Sequence, residues 1–383
     1  MFLLETTRGL ERFCADEVAD RLKPFARVRR CTVEGLANGN DDGIALHSAH
    51  VVVRVAEDAI PMKDLYEILC SLRSVRSVGA YVTVVNGLVH DEKVDEKTLE
   101  DCIDATSLHH WQRAIRIHDA IHPKAVPSRT TFRVTCTRNR HLRLVGLKSP
   151  GVCRALGSAV VASIGWKVDC VHYDVNVVGF LSQDLMVGLM LRDEIDSGRG
   201  RSPECSYSTM LRPSLAYLLT RVARVQPGDT VVDPMCGTGT IPIEAALASP
   251  CVNAIGGDSC RNAVEDASRN AKSCRLSSPV SFVLWDGTSP FIRPGSVDVV
   301  ISDLPFGHRH SRYNRLDKMY CGLMNSIRTA LRPGSGRAAL LTICKHRLVR
   351  AVDKFSTELS IIDSIECDVG GFQAVVLVIE RLR

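Results

Sequence analysis

The distribution of apolar residues changes character near residue 211. From there on, short apolar stretches without polar alternation recur between helical segments: TVVDP (230–234), AIGGD (254–258), VSFVLWD (280–286), VDVVISD (297–303) and GRAALLTI (336–343). Such strands are buried on both faces, and their alternation with helices predicts a parallel, doubly wound α/β sheet. The stretches IIDSIECDV and FQAVVLVIERL are separated only by Gly370 and Gly371, so we predict that they pair antiparallel.

The first 210 residues show a looser mixture of helical and extended patterns, which predicts small α+β modules. Helices are predicted over GLERFCADEVADRL, over MKDLYEILCSLRSV, through Trp111 and Ile117, and over about 151–164. Strands are predicted at HVVVRV, around 80–85, at TFRVTCT, at VHYDVNVVGF and at DLMVGLML. A charged linker, NGLVHDEKVDEK (86–97), and a Gly/Ser/Arg-rich one, DSGRGRSPECSYS, separate the parts. The predicted domains are 1–90, 91–195 and 211–383, with 196–210 as a linker.

Charge is distributed unevenly, although the net charge of the 383 residues is only +5. The stretch from Ala120 to Val168 contains nine basic residues and no acid. A field of one sign attracts polyanions such as nucleic acids. The alternative is a solvated surface whose counter-charges come from elsewhere in the fold. The candidate RNA-binding residues are Arg129, Arg133, Arg138, Arg140, Arg143, Lys148 and Arg154.

Cysteine usage and the N-terminal sequence bear on the cellular compartment. The fifteen cysteines are scattered singly without CxxC pairs, and the twelve histidines show no metal-ligand spacing. This pattern indicates reduced thiols and no metal site. The start, MFLLETTRGLERF, resembles neither a signal peptide nor a transit peptide, and no apolar run is long enough to span a membrane. We expect a soluble protein of the cytoplasm, with the nucleus as the alternative.

Candidate chemistry lies where the apolar strands end, because ligands of open α/β sheets bind at the carboxyl ends of the strands. The first strand runs into DPMCGTGTIPIEAA, in which Gly237 and Gly239 allow a tight turn and close approach to a ligand. Asp258 ends the second strand nineteen residues after Gly239, the spacing at which an acid meets the ribose of a nucleoside cofactor. Asp286 is expected to end the third strand, within reach of an adenine amino group. The candidate cofactor-binding residues are Asp233, Pro234, Cys236, Gly237, Gly239, Asp258, Asp286 and Gly287.

The glycine loop by itself is compatible with several nucleotide cofactors. Pro242 stands where GxGxxG has its third glycine, and no GK[ST] follows, which argues against a dinucleotide and against a P-loop. Asp233 is unsuited to holding a pyrophosphate, but suits the cationic amino-acid end of S-adenosylmethionine. We therefore predict S-adenosylmethionine; the alternative is a tight turn without a ligand.

The fourth strand ends in SDLPFG (302–307). Pro305 fixes its own φ and forces Leu304 to be extended, which directs the Leu304 carbonyl into the crevice. Asp303 adds a carboxylate and Phe306 a flat apolar face. Two acceptors can hold the N–H groups of an exocyclic amine and align its nitrogen with a methyl donor. The predicted catalytic residues are Asp303, Leu304, Pro305 and Phe306; a plain turn with a buried Phe is the alternative. For His308, Arg309 and His310, which follow, contact with RNA and a solvated surface both stay open.

Taken together, DPMCGTGTIPIEAA, ISDLPFG and LRPSLAYLLTRV resemble the methyltransferase domain of THUMP-domain RNA methyltransferases, which form N2-methylguanosine in tRNA. The segments GLERFCADEV and FRVTCTRNR are similar to the ferredoxin-like and THUMP parts of that family. The resemblance implies a class I S-adenosylmethionine-dependent fold with a mostly parallel, seven-stranded sheet, preceded by ferredoxin-like and THUMP-like modules. It also implies that the basic module grips tRNA near its acceptor end. A small zinc-binding activator subunit is a further partner that the resemblance allows.

Other activities remain as alternatives at this stage. An enzyme that methylates an amino group in another structured RNA, such as a small nuclear RNA, or adenine in RNA or DNA, would carry the same motifs. A methyltransferase of protein glutamine also uses a polar residue before a proline and an aromatic residue, but it would not need the basic module. The last alternative is a catalytically silent RNA-binding subunit.

Overall fold

The computed structural model describes residues 1–26, 28–31, 43–56, 58–86, 96–104, 108–123, 130–138, 148–182, 184–193, 195, 210–274, 276, 278–290, 292–305 and 313–383. Two compact units are present. The first comprises Met1–Thr6 and Ala15–Ile195, and the second comprises Thr7–Cys14 and Asp196–Arg383. Among the residues given, no helix is long and apolar enough to cross a membrane.

The first unit is an α+β arrangement built on one sheet. Its strands are β1 (Phe2–Glu5), β2 (Arg29–Cys31), β3 (Gly43–His47), β4 (His50–Arg54), β5 (Ser77–Val85), β6 (Thr131–Arg138), β7 (Lys167–Val168), β8 (Val175–Leu181) and β9 (Leu185–Arg192). Its helices are α1 (Glu11–Leu22), which begins in the segment assigned to the second unit, α2 (Met62–Ser71), α3 (Glu96–Asp104), α4 (Leu108–Ile121) and α5 (Ser149–Ile164). The strand order is β2-β3-β4-β1-β5-β9-β8-β6-β7.

One sheet therefore continues through both predicted N-terminal domains. β5 lies before the predicted boundary and β9 after it, yet the two strands pair antiparallel along most of their length. The boundary itself, between residues 90 and 91, lies outside the described residues, and the division stays a prediction. The predicted charged linker, residues 86–97, is too long at its C-terminal end, because α3 already begins at Glu96. The strand predicted from Val171 begins only at Val175, because the Asp169 carboxylate binds the backbone N–H groups of Val171 and His172 in a turn.

The second unit is a doubly wound α/β domain. Its strands are β10 (Thr230–Asp233), β11 (Asn253–Asp258), β12 (Val280–Leu284), β13 (Val299–Asp303), β14 (Arg337–Thr342), β15 (Leu359–Val369) and β16 (Phe372–Arg381). Its helices are α6 (Pro213–Val222), α7 (Thr240–Ala248), α8 (Arg261–Ser273), α9 (Tyr313–Ala330) and α10 (Lys345–Asp353). The order β12-β11-β10-β13-β14-β16-β15, with β16 antiparallel to both neighbours, confirms the predicted mostly parallel, seven-stranded sheet.

The prediction that all these apolar strands are buried on both faces was wrong for β12. Among the described strands it lies at the edge of the sheet and pairs only with β11, and Val283 and Leu284 are 43% and 45% exposed. An edge strand has neighbours on one side only, which an apolar sequence does not reveal. The C-terminal hairpin was predicted correctly, and Gly370 and Gly371 adopt the positive φ angles of +57° and +88° that a two-residue turn requires.

The strand order reverses between β10 and β13. β10 carries β11 and β12 on one side, whereas β13 carries β14 and the C-terminal hairpin on the other. Helices leave such neighbouring strands toward opposite faces, which opens a crevice at their carboxyl ends, and ligands of open α/β sheets bind there. The two segments with candidate chemistry, DPMCGTG and SDLPFG, begin at this point.

Candidate active site

Asp233 and Asp303 are the last residues of β10 and β13, the two strands that flank the reversal. The strands run parallel in register, with Val231 opposite Val299 and Val232 opposite Val300. The hydroxyl of Ser302 donates to Oδ1 of Asp233 at 2.7 Å, and both residues are almost completely buried. The glycine loop and the start of SDLPFG are thus bonded to each other. Sequence reasoning did not single out Ser302, because a serine within an apolar strand carries no distinctive pattern.

The Asp233 carboxylate is turned toward the protein interior. It is 2% exposed, and Oδ1 also accepts the backbone N–H of Met235 at 3.0 Å. Burial raises the pKa of Asp233 to about 7, and the nearby carboxylates of Asp303 and Asp258 add to this increase. The two hydrogen bonds act in the opposite direction and lower the pKa. Asp233 therefore shapes the start of the loop from inside.

The glycine loop connects β10 to α7 and folds around the end of β11. Gly237 and Gly239 have φ angles of +51° and +83°, in the left-handed region that favours glycine. The backbone N–H of Gly237 donates to Oδ2 of Asp258 at 3.0 Å, and the N–H of Cys236 donates to the carbonyl of Gly257 at 2.8 Å. Asp258, the acid that ends the second strand of this sheet, therefore lies directly against the glycine loop.

The two glycines differ in their surroundings. A Cβ on Gly239 would lie 2.7 Å from Phe282 Cζ and 2.9 Å from Ala267 Cβ, so this glycine is required for packing. A Cβ on Gly237 would meet no described atom within 4 Å, so this glycine faces open space. Gly237 thus marks the side of the loop that a ligand can approach.

Asp286 lies farther from the sheet than predicted. β12 ends at Leu284, and Asp286 is an exposed loop residue whose Oδ1 accepts from the N–H and the hydroxyl of Thr288, at 2.9 and 2.7 Å. Gly287 is buried, and a Cβ at this position would lie only 2.7 Å from the carbonyl oxygen of Pro234. The loop after β12 is therefore packed against the glycine loop.

Trp285 is a site residue that sequence reasoning missed. Its indole covers Gly257, where a Cβ would overlap the ring at 1.7 Å, and Nε1 donates to the carbonyl of Pro234 at 3.1 Å. The backbone N–H of Trp285 donates to Asp258 O at 3.1 Å. The paired glycines of AIGGD, followed one strand later by a tryptophan, were the available signal, because glycine in a strand often admits a large neighbour.

Asp303 combines burial with an unused acceptor. The residue is partly exposed, yet its Oδ1 is fully buried and has no hydrogen-bond partner in the described part of the chain. Burial raises the pKa of Asp303 to about 7. Leu304 is buried and its N–H donates to Leu341 O at 2.9 Å, whereas Pro305 is exposed. Phe306, His308, Arg309 and His310 lie outside the described residues.

Four of the candidate RNA-binding residues fall within the described chain. Arg133 and Arg138 lie on β6, Lys148 precedes α5 and Arg154 lies on that helix. The Arg133 guanidinium stacks on the ring of Tyr173, with Cζ 4.0 Å from its centroid. Lys148 and Arg154 are exposed. Arg129, Arg140 and Arg143 lie outside the described residues.

Comparison with known proteins assigns the parts of the chain. The THUMP domain model matches residues 115–189, and the model described as RMKL-like, methyltransferase domain matches residues 200–368. The chain therefore contains a THUMP domain and a methyltransferase domain. The structure is similar to the crystal structure of TrmN from Thermus thermophilus, with a TM-score of 0.67 and 22% sequence identity. The superposition covers 100% of this chain and 99% of the TrmN chain. The methyltransferase domain thus has the class I fold predicted from the sequence.

Curated relatives carry more specific names. A Bos taurus protein named tRNA (guanine(6)-N(2))-methyltransferase THUMP3 is 33% identical over 67% of this chain and 53% of its own length. A Mus musculus protein named U6 snRNA (guanine-N(2))-methyltransferase THUMPD2 is 30% identical over 57% of this chain and 40% of its own. The matched part of the THUMP-domain chain thus spans about half the length of these relatives, or less.

Proposed function

We propose that this protein transfers a methyl group from S-adenosylmethionine to the exocyclic N2 of a guanosine in tRNA. The observation that carries the proposal is the buried Oδ1 of Asp303 at the strand reversal, which has no hydrogen-bond partner among the described residues and whose neighbour Ser302 is bonded to the glycine loop. A buried acceptor without a partner costs free energy unless a ligand satisfies it. The tRNA (guanine(6)-N(2)) relative supports the target, which we place in the acceptor stem.

The residues around the glycine loop fit S-adenosylmethionine. The open face of Gly237 leaves room for the amino-acid end, and the strand-end carboxylate of Asp258 is suited to the ribose hydroxyls. Asp286 is exposed and available to an adenine amino group. Asp233, Pro234, Cys236, Gly239 and Gly287 would hold the loop in shape. When bound, the cofactor supplies an electrophilic methyl group on a positively charged sulfur.

Asp303 and Leu304 would hold the base. In this proposal a guanosine is flipped out of its stack, its amino group donates to Asp303 Oδ1 and to the Leu304 carbonyl, and Phe306 stacks on the ring. Two acceptors fix the nitrogen and point it along the line of attack, so most of the rate comes from positioning and electrostatics. After transfer, the ionised Asp303 is next to the group that must lose a proton.

The basic stretch of the THUMP domain would provide most of the RNA affinity. Arg133, Arg138, Lys148 and Arg154, together with Arg129, Arg140 and Arg143, would contact phosphates, which position the RNA without reading its sequence. The THUMPD2 relative favours a second candidate, a guanosine in U6 small nuclear RNA. The site chemistry is the same for both, so only the RNA distinguishes them.

The test is methylation of defined RNAs with labelled S-adenosylmethionine, followed by mass analysis of the nucleosides. The expected product is N2-methylguanosine in tRNA; product in U6 RNA alone favours the second candidate, and N6-methyladenosine contradicts both. Asp303→Ala should lower turnover by about 100-fold or more while S-adenosylmethionine still binds. Asp363→Ala, a matched control, removes an exposed carboxylate paired with Arg12 and should leave turnover unchanged.

A small zinc-binding activator subunit and a cytoplasmic location, with the nucleus as the alternative, complete the proposal. Co-purification from cell extract tests the first: a stoichiometric small partner that restores full turnover supports it, and full turnover of the chain alone contradicts it. Fractionation of cells followed by immunodetection tests the second.

A further inference from the structure

A hydrogen-bonded chain ends on the turn that carries Asp303 and Leu304. Tyr320 lies on α9 with 0% exposure, and its hydroxyl donates to the carbonyl of Pro305 at 3.1 Å. The same hydroxyl is 2.8 Å from Thr342 Oγ1, at the end of β14. Thr342 Oγ1 in turn accepts the backbone N–H of Cys344 at 2.9 Å. Of these contacts, the one to the Pro305 carbonyl reaches the turn of the proposed base site, and none lies in the glycine loop.

The protons of this chain have one consistent arrangement. A phenol has a single proton, and the contact with the Pro305 carbonyl requires it, because a carbonyl only accepts. Thr342 must then donate its own proton to Tyr320 while accepting from Cys344. Burial raises the pKa of the Tyr320 phenol, so it keeps its proton at neutral pH. Each hydrogen bond in this series is therefore donated toward Pro305, from the Cys344 N–H to Thr342, from Thr342 to Tyr320 and from Tyr320 to the Pro305 carbonyl.

The bond to Pro305 matters because the described residues of the turn make few other backbone bonds. Pro305 has no N–H to donate, and the N–H of Leu304 is bonded to Leu341 O at 2.9 Å. The peptide group between Leu304 and Pro305 thus lies between two bonded groups, the Leu304 N–H on β14 and the Pro305 carbonyl on Tyr320. Its orientation determines where the Leu304 carbonyl points.

We propose that Tyr320 is a positioning residue for methyl transfer: its hydroxyl holds the Pro305 carbonyl and so aims the Leu304 carbonyl and Asp303 at the amino group. This inference rests on the proposed function. Tyr320 does not touch the substrate, and its effect is on geometry. A displacement of about 1 Å at a reacting group can lower turnover about 100-fold.

The test compares Tyr320→Phe, which removes one hydroxyl and leaves the ring, with Tyr66→Phe, a buried tyrosine of the first unit. We expect Tyr320→Phe to lower kcat about 10- to 100-fold with the Kd for S-adenosylmethionine within about twofold of wild type. Thr342→Val should act in the same direction, and Thr342→Ser, which keeps the hydroxyl, should restore turnover. Tyr66→Phe should match wild type.

Hydrogen exchange of the Leu304 amide supplies a readout that does not depend on activity. It should be faster in Tyr320→Phe than in wild type or in Tyr66→Phe. Unchanged kcat, or a lower kcat without faster exchange at Leu304, overturns the inference. If wild type transfers no methyl group to any RNA, the proposed function fails, and the exchange rate alone decides whether Tyr320 holds the turn.

Discussion

The hydroxyl of Ser302 donates to Oδ1 of Asp233 across the strand reversal, at a distance of 2.7 Å. The two residues are 69 positions apart in the sequence, and each stands at the start of a segment with a separate proposed task. Asp233 opens the loop proposed to hold the cofactor, and Ser302 precedes the acid proposed to hold the base. The bond therefore fixes the proposed cofactor site and the proposed base site relative to each other.

Ser302→Ala should weaken both stability and cofactor binding. The change leaves the buried Asp233 Oδ1 with only the Met235 N–H, and an incompletely satisfied buried acceptor costs about 1–3 kcal/mol. We expect a lower melting temperature and a higher Kd for S-adenosylmethionine by calorimetry. Ser296→Ala, which removes an exposed hydroxyl from a loop of the same unit, is the control. Equal effects of the two changes would contradict a coupling through Ser302.

Methyl transfer should depend on pH through Asp303. Burial raises the pKa of Asp303 to about 7, so below that pH the carboxylate proposed to accept a hydrogen bond from the amino group is protonated. The rate should therefore fall about tenfold for each pH unit below 7 and reach a plateau above it. In Asp303→Asn, which keeps an acceptor oxygen but does not titrate, a residual rate independent of pH is expected.

Asp233 also has a pKa raised to about 7, so the same experiment separates the two acids. A profile that persists unchanged in Asp303→Asn would assign the titration to Asp233 and contradict the role given to Asp303. Binding of S-adenosylmethionine, measured over the same pH range, reports on Asp233 without requiring turnover.

Gly237→Ala should reduce cofactor affinity without serious loss of folding. The backbone there has φ +51°, which costs an alanine about 1–2 kcal/mol, and the added methyl would enter the open space proposed for S-adenosylmethionine. Gly370→Ala is a close match, since φ is +57° and no described atom lies within 4 Å of the added Cβ. Both variants should lose similar stability in thermal unfolding, but only Gly237→Ala should bind S-adenosylmethionine more weakly. Equal binding by both would remove Gly237 from the cofactor site.

Arg133→Ala should weaken RNA binding in a manner that depends on salt. If Arg133 neutralises one phosphate, the slope of log K against log[salt] should become shallower by about 0.7–0.9. The control is Arg224→Ala in the second unit, which removes an exposed arginine paired with Glu380 of the same unit. Fluorescence anisotropy with labelled tRNA at several salt concentrations measures both. An unchanged slope for Arg133→Ala would show that this residue serves only its stack on Tyr173.

Several features of the molecule follow from local sequence. Apolar strands without alternation, separated by helices, are sufficient to predict a parallel sheet, because burial on both faces leaves no other pattern. Strand-end acids at Asp233, Asp258 and Asp303 could be located for the same reason, and so could the hairpin at Gly370 and Gly371. Each of these depends on residues that are close together in the chain.

The remaining features depend on contacts between distant segments, and only the tertiary structure decided them. The inward turn of Asp233, the cover of Trp285 on Gly257 and the bond from Tyr320 to Pro305 all join residues from different strands and helices. The exposure of β12 depends on its place at the edge of the sheet, and the continuity of the first sheet depends on the pairing of β5 with β9. Sequence by itself determined which groups are available for the proposed methyl transfer, whereas packing determined which of them are buried and oriented and which acceptor is unused among the described residues.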